Sequence, residues 1–214
     1  MTAGRPLVCA HRGASAYHAD NSRAGFAAAI EMRADVIETD VRRTADGRLV
    51  LSHDPIGPRP DPDLVELAEL VELATGRVRL DVELKEAGYE ADVLAALDPV
   101  AAGLIVTSFL PLALAAVRAL DPAVPTGLIL RPGRRHADPL ARADACGAHA
   151  VVAHASLAGD GLRRRALDAD RPLWVWTLND PRRLADAVRD PAIAAVITDV
   201  PDVALALRDG AGAA

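Results

Sequence analysis

Several residue types are scarce or absent in this chain. Its 214 residues include no glutamine, and of its 24 basic residues only Lys85 is a lysine. Aromatic residues make up 3% of the chain, so the core must be built from Ala, Val, Leu and Ile. The two cysteines, Cys9 and Cys146, lack the spacing of a metal or redox motif. We expect them to be buried thiols in a reducing compartment.

An excess of positive charge and long apolar runs are also missing. The net charge of −6 argues against nucleic acid or an anionic membrane as the main partner. No apolar run approaches the roughly 20 residues that a membrane-spanning helix needs, and the first residues hold no apolar signal core. We therefore expect a cytoplasmic protein without stable membrane association. The oligomeric state stays open.

Short apolar runs alternate with Ala-rich helical patterns along the chain. The runs are almost continuously apolar, which is typical of a parallel sheet covered by helices. Eight such pairs predict an α/β fold, a parallel eight-stranded (β/α)₈ TIM barrel with residues 1–214 as one domain. A doubly wound open sheet is the alternative. The predicted strands are Leu7–Ala10, Val36–Val41, Arg79–Leu84, Leu104–Thr107, Thr126–Ile129, Ala150–Ala153, Leu173–Thr177 and Ala195–Thr198.

The segments between these strands have the pattern of helices. One extra short strand, Leu49–Ser52, follows the turn signal Asp46-Gly47 and is expected to pair back beside Val36–Val41. The predicted helices are Ser22–Met32, Asp63–Ala74, Glu90–Leu97, Leu112–Leu120, Pro139–Cys146, Gly161–Asp168, Pro181–Arg189 and Val203–Arg208.

Acidic residues lie close together on two predicted strands. Glu38 and Asp40 are two residues apart and share one face of a strand, as do Asp81 and Glu83. If these faces look into the barrel mouth, three or four carboxylates converge there, which is unfavourable by roughly several kcal/mol without a cation. Oxygen ligands suit Mg²⁺ or Ca²⁺ better than zinc. The pattern favours a divalent cation site over the alternative of barrel salt bridges with Arg.

Basic residues and histidines stand beside these acids. Arg12 and Lys85 add positive charge where a metal is expected, which makes sense if an anion such as phosphate joins it. His11 and His53 each end a strand and are followed by a charged residue. A histidine with an ordinary pKa near 6.5 can give and take protons at neutral pH. We interpret the two as an acid/base pair rather than as incidental residues.

These motifs together resemble the glycerophosphodiester phosphodiesterase family. The stretch from His11-Arg12-Gly13 to Asn21-Ser22 is similar to the family's opening motif HRG-x(6)-PENT. The resemblance continues over nearly the whole chain, in the right order. It includes Glu38-Thr39-Asp40-Val41, Val50-Leu51-Ser52-His53-Asp54, Val82-Glu83-Leu84-Lys85, Ser108-Phe109, Val175-Trp176-Thr177-Leu178-Asn179 and Ile197-Thr198-Asp199-Val200-Pro201.

The resemblance implies a TIM barrel that hydrolyses glycerophosphodiesters to sn-glycerol 3-phosphate and an alcohol. Carried over by position, Glu38, Asp40 and Glu83 match the family's ligands of a divalent cation, Mg²⁺ or Ca²⁺. His11 and His53 match its general acid/base pair, with the individual roles open. Arg12 and Lys85 match its phosphate-facing cations.

Two departures from the family pattern stand out. Asp20 occupies a position where the family usually has Glu, so its hydrogen bonds are expected to differ. The lid-like segment that usually precedes the Glu-x-Lys strand is largely missing, because only Pro55–Val82 lies there. We expect a more open pocket.

Two residues near the chain's end carry further predictions. Trp176 shares a strand face with Trp174, and we predict that it walls the pocket rather than joining the core. Asp199 precedes Val200-Pro201 and is predicted to cap the last helix.

Two other functions remain open. A lysophospholipase D or sphingomyelinase D-like enzyme would use a similar site on lipids, but would need an apolar groove or an interfacial helix. A non-catalytic barrel that binds a phosphorylated metabolite would have no need of both histidines.

Overall fold

The computed structural model describes residues 5–132 and 138–210, and within them eight parallel strands close into a barrel. Closure follows from β1, which pairs with β9 on one side and β2 on the other. The predicted TIM barrel is therefore confirmed over the open sheet. The strands are β1 (Leu7–Ala10), β2 (Val36–Arg43), β3 (Leu49–Leu51), β4 (Arg79–Leu84), β5 (Leu104–Ser108), β6 (Thr126–Leu130), β7 (Ala150–His154), β8 (Leu173–Trp176) and β9 (Ala195–Thr198).

A helix follows each barrel strand, with β3 inserted after β2. Ser22 caps the first helix by accepting a hydrogen bond from the Gly25 backbone N–H. No helix of the described residues is long and apolar enough to cross a bilayer. The helices are α1 (Arg23–Glu31), α2 (Leu67–Ala74), α3 (Glu90–Leu97), α4 (Pro111–Leu120), α5 (Pro139–Ala145), α6 (Asp160–Asp168), α7 (Pro181–Ala187) and α8 (Pro201–Asp209), with a 3₁₀ helix at Asp98–Gly103.

The short strand β3 forms a hairpin with β2, as predicted. The two strands run antiparallel, with Val41 opposite Leu51, and Gly47 supplies the positive φ of 93° in the turn. The hairpin carries the chain back to the barrel mouth, where His53 follows β3.

The start of α2 was predicted four residues too early. Glu66 forms an isolated bridge with Val50, and the Leu51 N–H donates to the Val65 carbonyl, so this segment is extended along β3. Glu66 is the N-cap of the helix, and its backbone N–H donates to Glu69 Oε1 at 3.0 Å. Pairing with β3 thus delays the helix to Leu67.

The barrel interior changes from apolar to acidic along its axis. Its lower part is packed by small and branched side chains, including Cys9, Val36 and Val152, together with Trp174. Alternation along β2 puts Glu38 and Asp40 on the same inner face as Val36, nearer the carboxyl ends of the strands. The mouth of the barrel is therefore the place where charged groups collect.

Candidate active site

A pocket of about 520 Å³ opens at the carboxyl ends of the strands. Seven of the eight predicted site residues line it: His11, Arg12, Glu38, His53, Glu83, Lys85 and Trp176. The eighth, Asp40, is fully buried and reaches the same group through its contacts with Lys85 and Arg12. The fold brings the whole predicted set together.

Strand register places the acidic residues side by side. In the pairing of β2 with β4, Glu38 lies opposite Asp81 and Asp40 lies opposite Glu83. Glu38, Asp40 and Glu83 each offer a carboxylate oxygen within 4.8 Å of the other two. That spacing allows one cation to contact all three groups.

Crowding of these carboxylates disturbs their protonation. Burial, followed by repulsion from Asp40 and Asp81, raises the pKa of Glu38 well above its usual range. Burial also raises the pKa of Glu83 to about 7, although Lys85 opposes the effect. The pKa of Asp81 rises to about 7 through burial, and its Oδ2 is buried without a hydrogen-bond partner. A cation would relieve each of these penalties.

Two basic side chains, those of Lys85 and Arg12, neutralise part of the negative charge of this cluster. The Lys85 Nζ lies 3.1 Å from Asp40 Oδ1 and 2.7 Å from Glu83 Oε1. The Arg12 Nε lies 3.0 Å from Asp40 Oδ2. Burial disfavours the Asp40 carboxylate, but Lys85 and Arg12 outweigh it and lower its pKa. Asp40 is therefore the acid of the cluster that is held ionised.

The loop after β1 turns sharply to reach the carboxylates. Arg12 and Gly13 have positive φ angles of 53° and 86°, and a Cβ on Gly13 would lie 2.7 Å from the backbone of Gly25. The turn directs the Arg12 backbone N–H at Glu38 Oε2, at 2.9 Å. Its guanidinium also donates to Asp20 at 2.7 Å, so the shorter acid at this position still holds Arg12.

Asn21 links the same loop to β2. Its Nδ2 donates to Asp40 Oδ2 at 3.0 Å, and its Oδ1 accepts from the Thr39 hydroxyl at 2.8 Å. The sequence pattern gave Asn21 no role of its own. In the structure, the buried side chain of Asn21 orients Asp40.

Asp199 pairs with His11, and the prediction that it caps the last helix is wrong. Val200 is the N-cap of α8 and makes no side-chain cap. Asp199 Oδ1 instead accepts from His11 Nδ1 at 2.6 Å and from Ser15 Oγ at 3.0 Å. Burial opposes ionisation of Asp199, but the hydrogen bonds from His11, Asn179 and Ser15 prevail and lower its pKa to about 2.

An ionised Asp199 fixes the tautomer of His11. Because the carboxylate can only accept, Nδ1 must carry the proton, and Nε2 is left toward the pocket. Nε2 lies 4.0 Å from Glu38 Oε2. This histidine is therefore oriented next to the carboxylate cluster.

His53 is held less tightly than His11. Its side chain is 47% exposed, against 18% for His11. Its Nδ1 lies 2.9 Å from Oδ1 of the exposed Asp54. Its backbone carbonyl accepts from Arg42 Nη2 at 2.9 Å, and Arg42 also pairs with Glu86.

Trp176 stands on the far side of the pocket. Its ring lies perpendicular to Phe109 and to His154, with centroids 5.7 and 5.2 Å away, and its N–H donates to the Val152 carbonyl at 3.1 Å. Trp176 lines the pocket, whereas Trp174 packs in the barrel interior.

Comparison with known proteins supports the resemblance in the motifs. A model of the glycerophosphoryl diester phosphodiesterase family matches residues 11–68 and 76–203. A glycerophosphodiester phosphodiesterase of Caldanaerobacter subterraneus subsp. tengcongensis is 50% identical over 50 residues, which are 23% of this chain and 21% of that protein. The chain thus aligns with about a fifth of that relative's length.

Solved structures extend the likeness to the entire barrel. A glycerophosphodiester phosphodiesterase from Thermotoga maritima superposes with a TM-score of 0.82 at 24% identity, covering 96% of this chain and 99% of that one. An Oleispira antarctica phosphodiesterase, solved in complex with the product sn-glycerol-3-phosphate, gives 0.81 at 22% identity, covering 96% and 97%.

Proposed function

The chain belongs to the glycerophosphoryl diester phosphodiesterase family, and on that premise we propose that it hydrolyses a glycerophosphodiester to sn-glycerol 3-phosphate and an alcohol. The observation that carries this proposal is one pocket that combines a carboxylate cluster, two histidines and two basic side chains, Arg12 and Lys85. The pocket has the groups needed to bind a phosphodiester and to move protons on both sides of it.

Glu38, Asp40 and Glu83 are the proposed ligands of a divalent cation. Their oxygens lie within 4.8 Å of one another, and an all-oxygen donor set suits Mg²⁺ or Ca²⁺. The raised pKa values of Glu38 and Glu83 support this fit, since a bound cation favours the ionised carboxylates. When bound, the cation would supply Lewis-acid activation of the phosphodiester and lower the pKa of a coordinated hydroxyl.

His11 and His53 are the proposed proton carriers. Hydrolysis needs removal of a proton from the attacking hydroxyl and donation of one to the departing alkoxide. If water attacks, the products form in one step; if the glycerol 2-OH attacks, it leaves a cyclic phosphate, which water must open in a second step. Asp199 orients His11 with Nε2 toward the pocket, and Asp54 contacts the Nδ1 of His53. The positions of both residues around one pocket support a shared role.

Arg12 and Lys85 are the proposed phosphate ligands. Each is fixed by Asp40, at 3.0 Å for Arg12 Nε and 3.1 Å for Lys85 Nζ, and each lines the pocket. Donors that are oriented before the reaction stabilise the charge that develops on the phosphate oxygens.

Release of sn-glycerol 3-phosphate from glycerophosphodiesters tests the proposal. We expect hydrolysis with Mg²⁺ or Ca²⁺, loss of activity with a chelator and recovery on adding the cation back. Glu83→Gln should be inactive at every cation concentration, because it lacks one ligand charge. Binding of glycerol 3-phosphate without turnover of any ester would favour the non-catalytic barrel, and chelator-resistant hydrolysis would contradict the role of the cation.

A further inference from the structure

His53 lies at the start of a long irregular loop between β3 and α2. Within the described chain, residues 55–63 form two hydrogen bonds, both accepted by Asp61, from the backbone N–H groups of Asp63 and Leu64. Four residues of this loop are prolines, which have no N–H group to donate. The loop therefore has few contacts of its own that could hold His53 at the pocket.

The backbone of His53 is held from β2, by Arg42. The Nε and Nη2 of Arg42 both donate to the His53 carbonyl, at 3.3 and 2.9 Å. The other partner of His53 is Asp54, its exposed neighbour in the chain. Among the residues that the structure describes, Arg42 is thus the one hydrogen-bond partner of His53 from outside the loop.

The guanidinium of Arg42 is itself held in place. Arg42 is buried, and its Nη1 pairs with Glu86. The Glu86 backbone N–H donates to the Tyr89 hydroxyl at 3.2 Å, and this hydroxyl donates to the Val41 carbonyl of β2 at 2.7 Å. The guanidinium therefore lies between the loop that carries His53 and the loop after β4, in which Glu86 follows Lys85.

We propose that Arg42 is a positioning residue for His53, and that it fixes the backbone of this histidine relative to Lys85. The inference rests on the proposed function, in which His53 transfers a proton and Lys85 binds the phosphate. A planar guanidinium can donate to a carbonyl from one edge and pair with a carboxylate at another, whereas an ammonium group has no such fork. Proton transfer needs heavy atoms within about 2.6–3.2 Å of each other, so a small displacement of His53 slows the reaction and leaves binding largely unchanged.

Arg42→Met removes the guanidinium and keeps an apolar stem. We expect kcat to fall about 10–100-fold while KM changes less than about threefold. The substrates are the glycerophosphodiesters of glycerol, ethanolamine and choline, and the comparison uses the one that the wild type hydrolyses best. Arg42→Lys keeps the charge without the fork and should recover part of the loss. A rise in Tm on adding Mg²⁺ or Ca²⁺ should persist in both variants, because the carboxylate cluster is unchanged.

Arg163→Met is the matched control. Arg163 Nε donates to the Ala158 carbonyl at 2.7 Å, and its Nη1 donates to Asp190 Oδ2 at 3.0 Å. Arg163 thus also joins a loop carbonyl to a carboxylate, but its loop, between β7 and α6, carries none of the proposed site residues. We expect kcat of Arg163→Met to stay within about threefold of the wild type.

A double variant shows whether Arg42 acts through His53. In a His53→Ala background, Arg42→Met should cause less than about threefold further loss of kcat. A further loss as large as that in the wild-type background would overturn the inference, and so would a kcat for Arg42→Met as close to the wild type as that of Arg163→Met. If Arg42→Met does not fold, the same two criteria apply to Arg42→Lys.

Failure of the proposed function would look different. A wild type that hydrolyses none of the three esters with either cation would overturn the proposed function, and this inference with it. An active wild type whose kcat is insensitive to Arg42 would overturn only the role of Arg42.

Discussion

The two sides of the pocket are built differently. On the side formed by β9, β1, β2 and β4, which we call the carboxylate side, polar groups are held by buried or partly buried hydrogen bonds, such as those of Asn21 to Asp40 and of His11 to Asp199. The side formed by β5 to β8, which we call the wall, contributes the apolar side chains Ile129 and Val152 and the ring of Trp176 to the pocket lining. The hydrogen bonds that orient Asp40, Glu38 and His11 lie on the carboxylate side, where charge would develop in the proposed reaction, and the wall gives the pocket its shape.

A second contrast lies within the carboxylate side itself. His11 is mostly buried and its Nδ1 contacts a carboxylate with three side-chain donors, His11, Ser15 and Asn179. His53 is 47% exposed and contacts Asp54, whose side chain is 88% exposed. If both histidines transfer protons, His11 is oriented before the substrate binds, whereas the side chain of His53 can adjust its conformation on binding.

Among substitutions outside the carboxylate cluster, removal of either histidine should have the largest effect. We expect His11→Ala and His53→Ala each to lower kcat by about 10²–10⁴-fold, with a smaller change in KM. The double variant should lose far less than the product of the single losses, because the two act in one reaction. A p-nitrophenyl ester, which needs no acid, should rescue only the variant that lacks the general acid. Near wild-type turnover in both single variants would contradict the mechanism.

The unequal support of the two histidines predicts a difference between their partners. Asp199→Asn should lower kcat by roughly 10–100-fold, because it removes the charge that orients His11 and stabilises its protonated form. Asp54→Asn should stay within about threefold, since an exposed ion pair is worth little. In a His11→Ala background Asp199→Asn should cause little further loss. Equal losses of kcat in Asp199→Asn and Asp54→Asn would contradict the claim that His11 is supported more strongly than His53.

A change in the wall should act on binding rather than on turnover. We expect Trp176→Leu to raise KM a few-fold while kcat stays within about threefold, because the indole lines the pocket and has no group that transfers a proton in the proposed mechanism. The fold should tolerate the change, since Trp176 is only partly buried. A loss in kcat as large as that of His11→Ala would show that the wall also positions the reacting groups.

The smallest predicted effect is on stability and depends on pH. Asp81 and Glu83 have folded pKa values of about 7, against about 3.9 and 4.3 in an unfolded chain. Between about pH 4 and pH 7 the folded protein therefore binds more protons than the unfolded chain, and its stability falls as pH rises. In chelator we expect the Tm to drop by roughly 10 °C from pH 5 to pH 7.5, because both groups lose most of their stabilising protonation in this interval.

Two controls separate this effect from other titrations. Asp81→Asn should reduce the fall in Tm without abolishing it, because Glu83 still titrates. A saturating divalent cation should reverse the fall at pH 7.5, because bound metal favours the ionised carboxylates. Asp199, with a pKa of about 2, contributes stability that is lost only as pH falls below about 4, outside this window. A Tm that rises between pH 5 and pH 7.5 in chelator would contradict the assignment.

The barrel could be predicted from the sequence because its signals are local. β1, β4 and β9 begin and end at the predicted residues. β1 and β9 are short runs without charged residues, whereas in β4 apolar residues alternate with charged ones. The start of α2 could not be predicted in this way. It depends on the pairing of Val65 and Glu66 with β3, a contact set by the fold.

The site was predictable where motifs fix residues on one strand. The same-face acidic pairs on β2 and β4 predicted the carboxylate cluster. The register between these neighbouring parallel strands places the two pairs side by side. The pairing of His11 with Asp199 could not be read in advance, since the two residues stand 188 positions apart. Each ends a strand, and β1 and β9 become neighbours only when the barrel closes.

A crystal structure with glycerol 3-phosphate and Mg²⁺ or Ca²⁺ would test the central claim most directly. We predict one cation bound to Glu38, Asp40 and Glu83 at about 2.0–2.6 Å, with the phosphate between His11 and His53 and in contact with Arg12 and Lys85. Anomalous scattering from Mn²⁺ in place of Mg²⁺ would identify the ion. Full occupancy of glycerol 3-phosphate with no cation at these three carboxylates, or a phosphate out of reach of both histidines, would contradict the account.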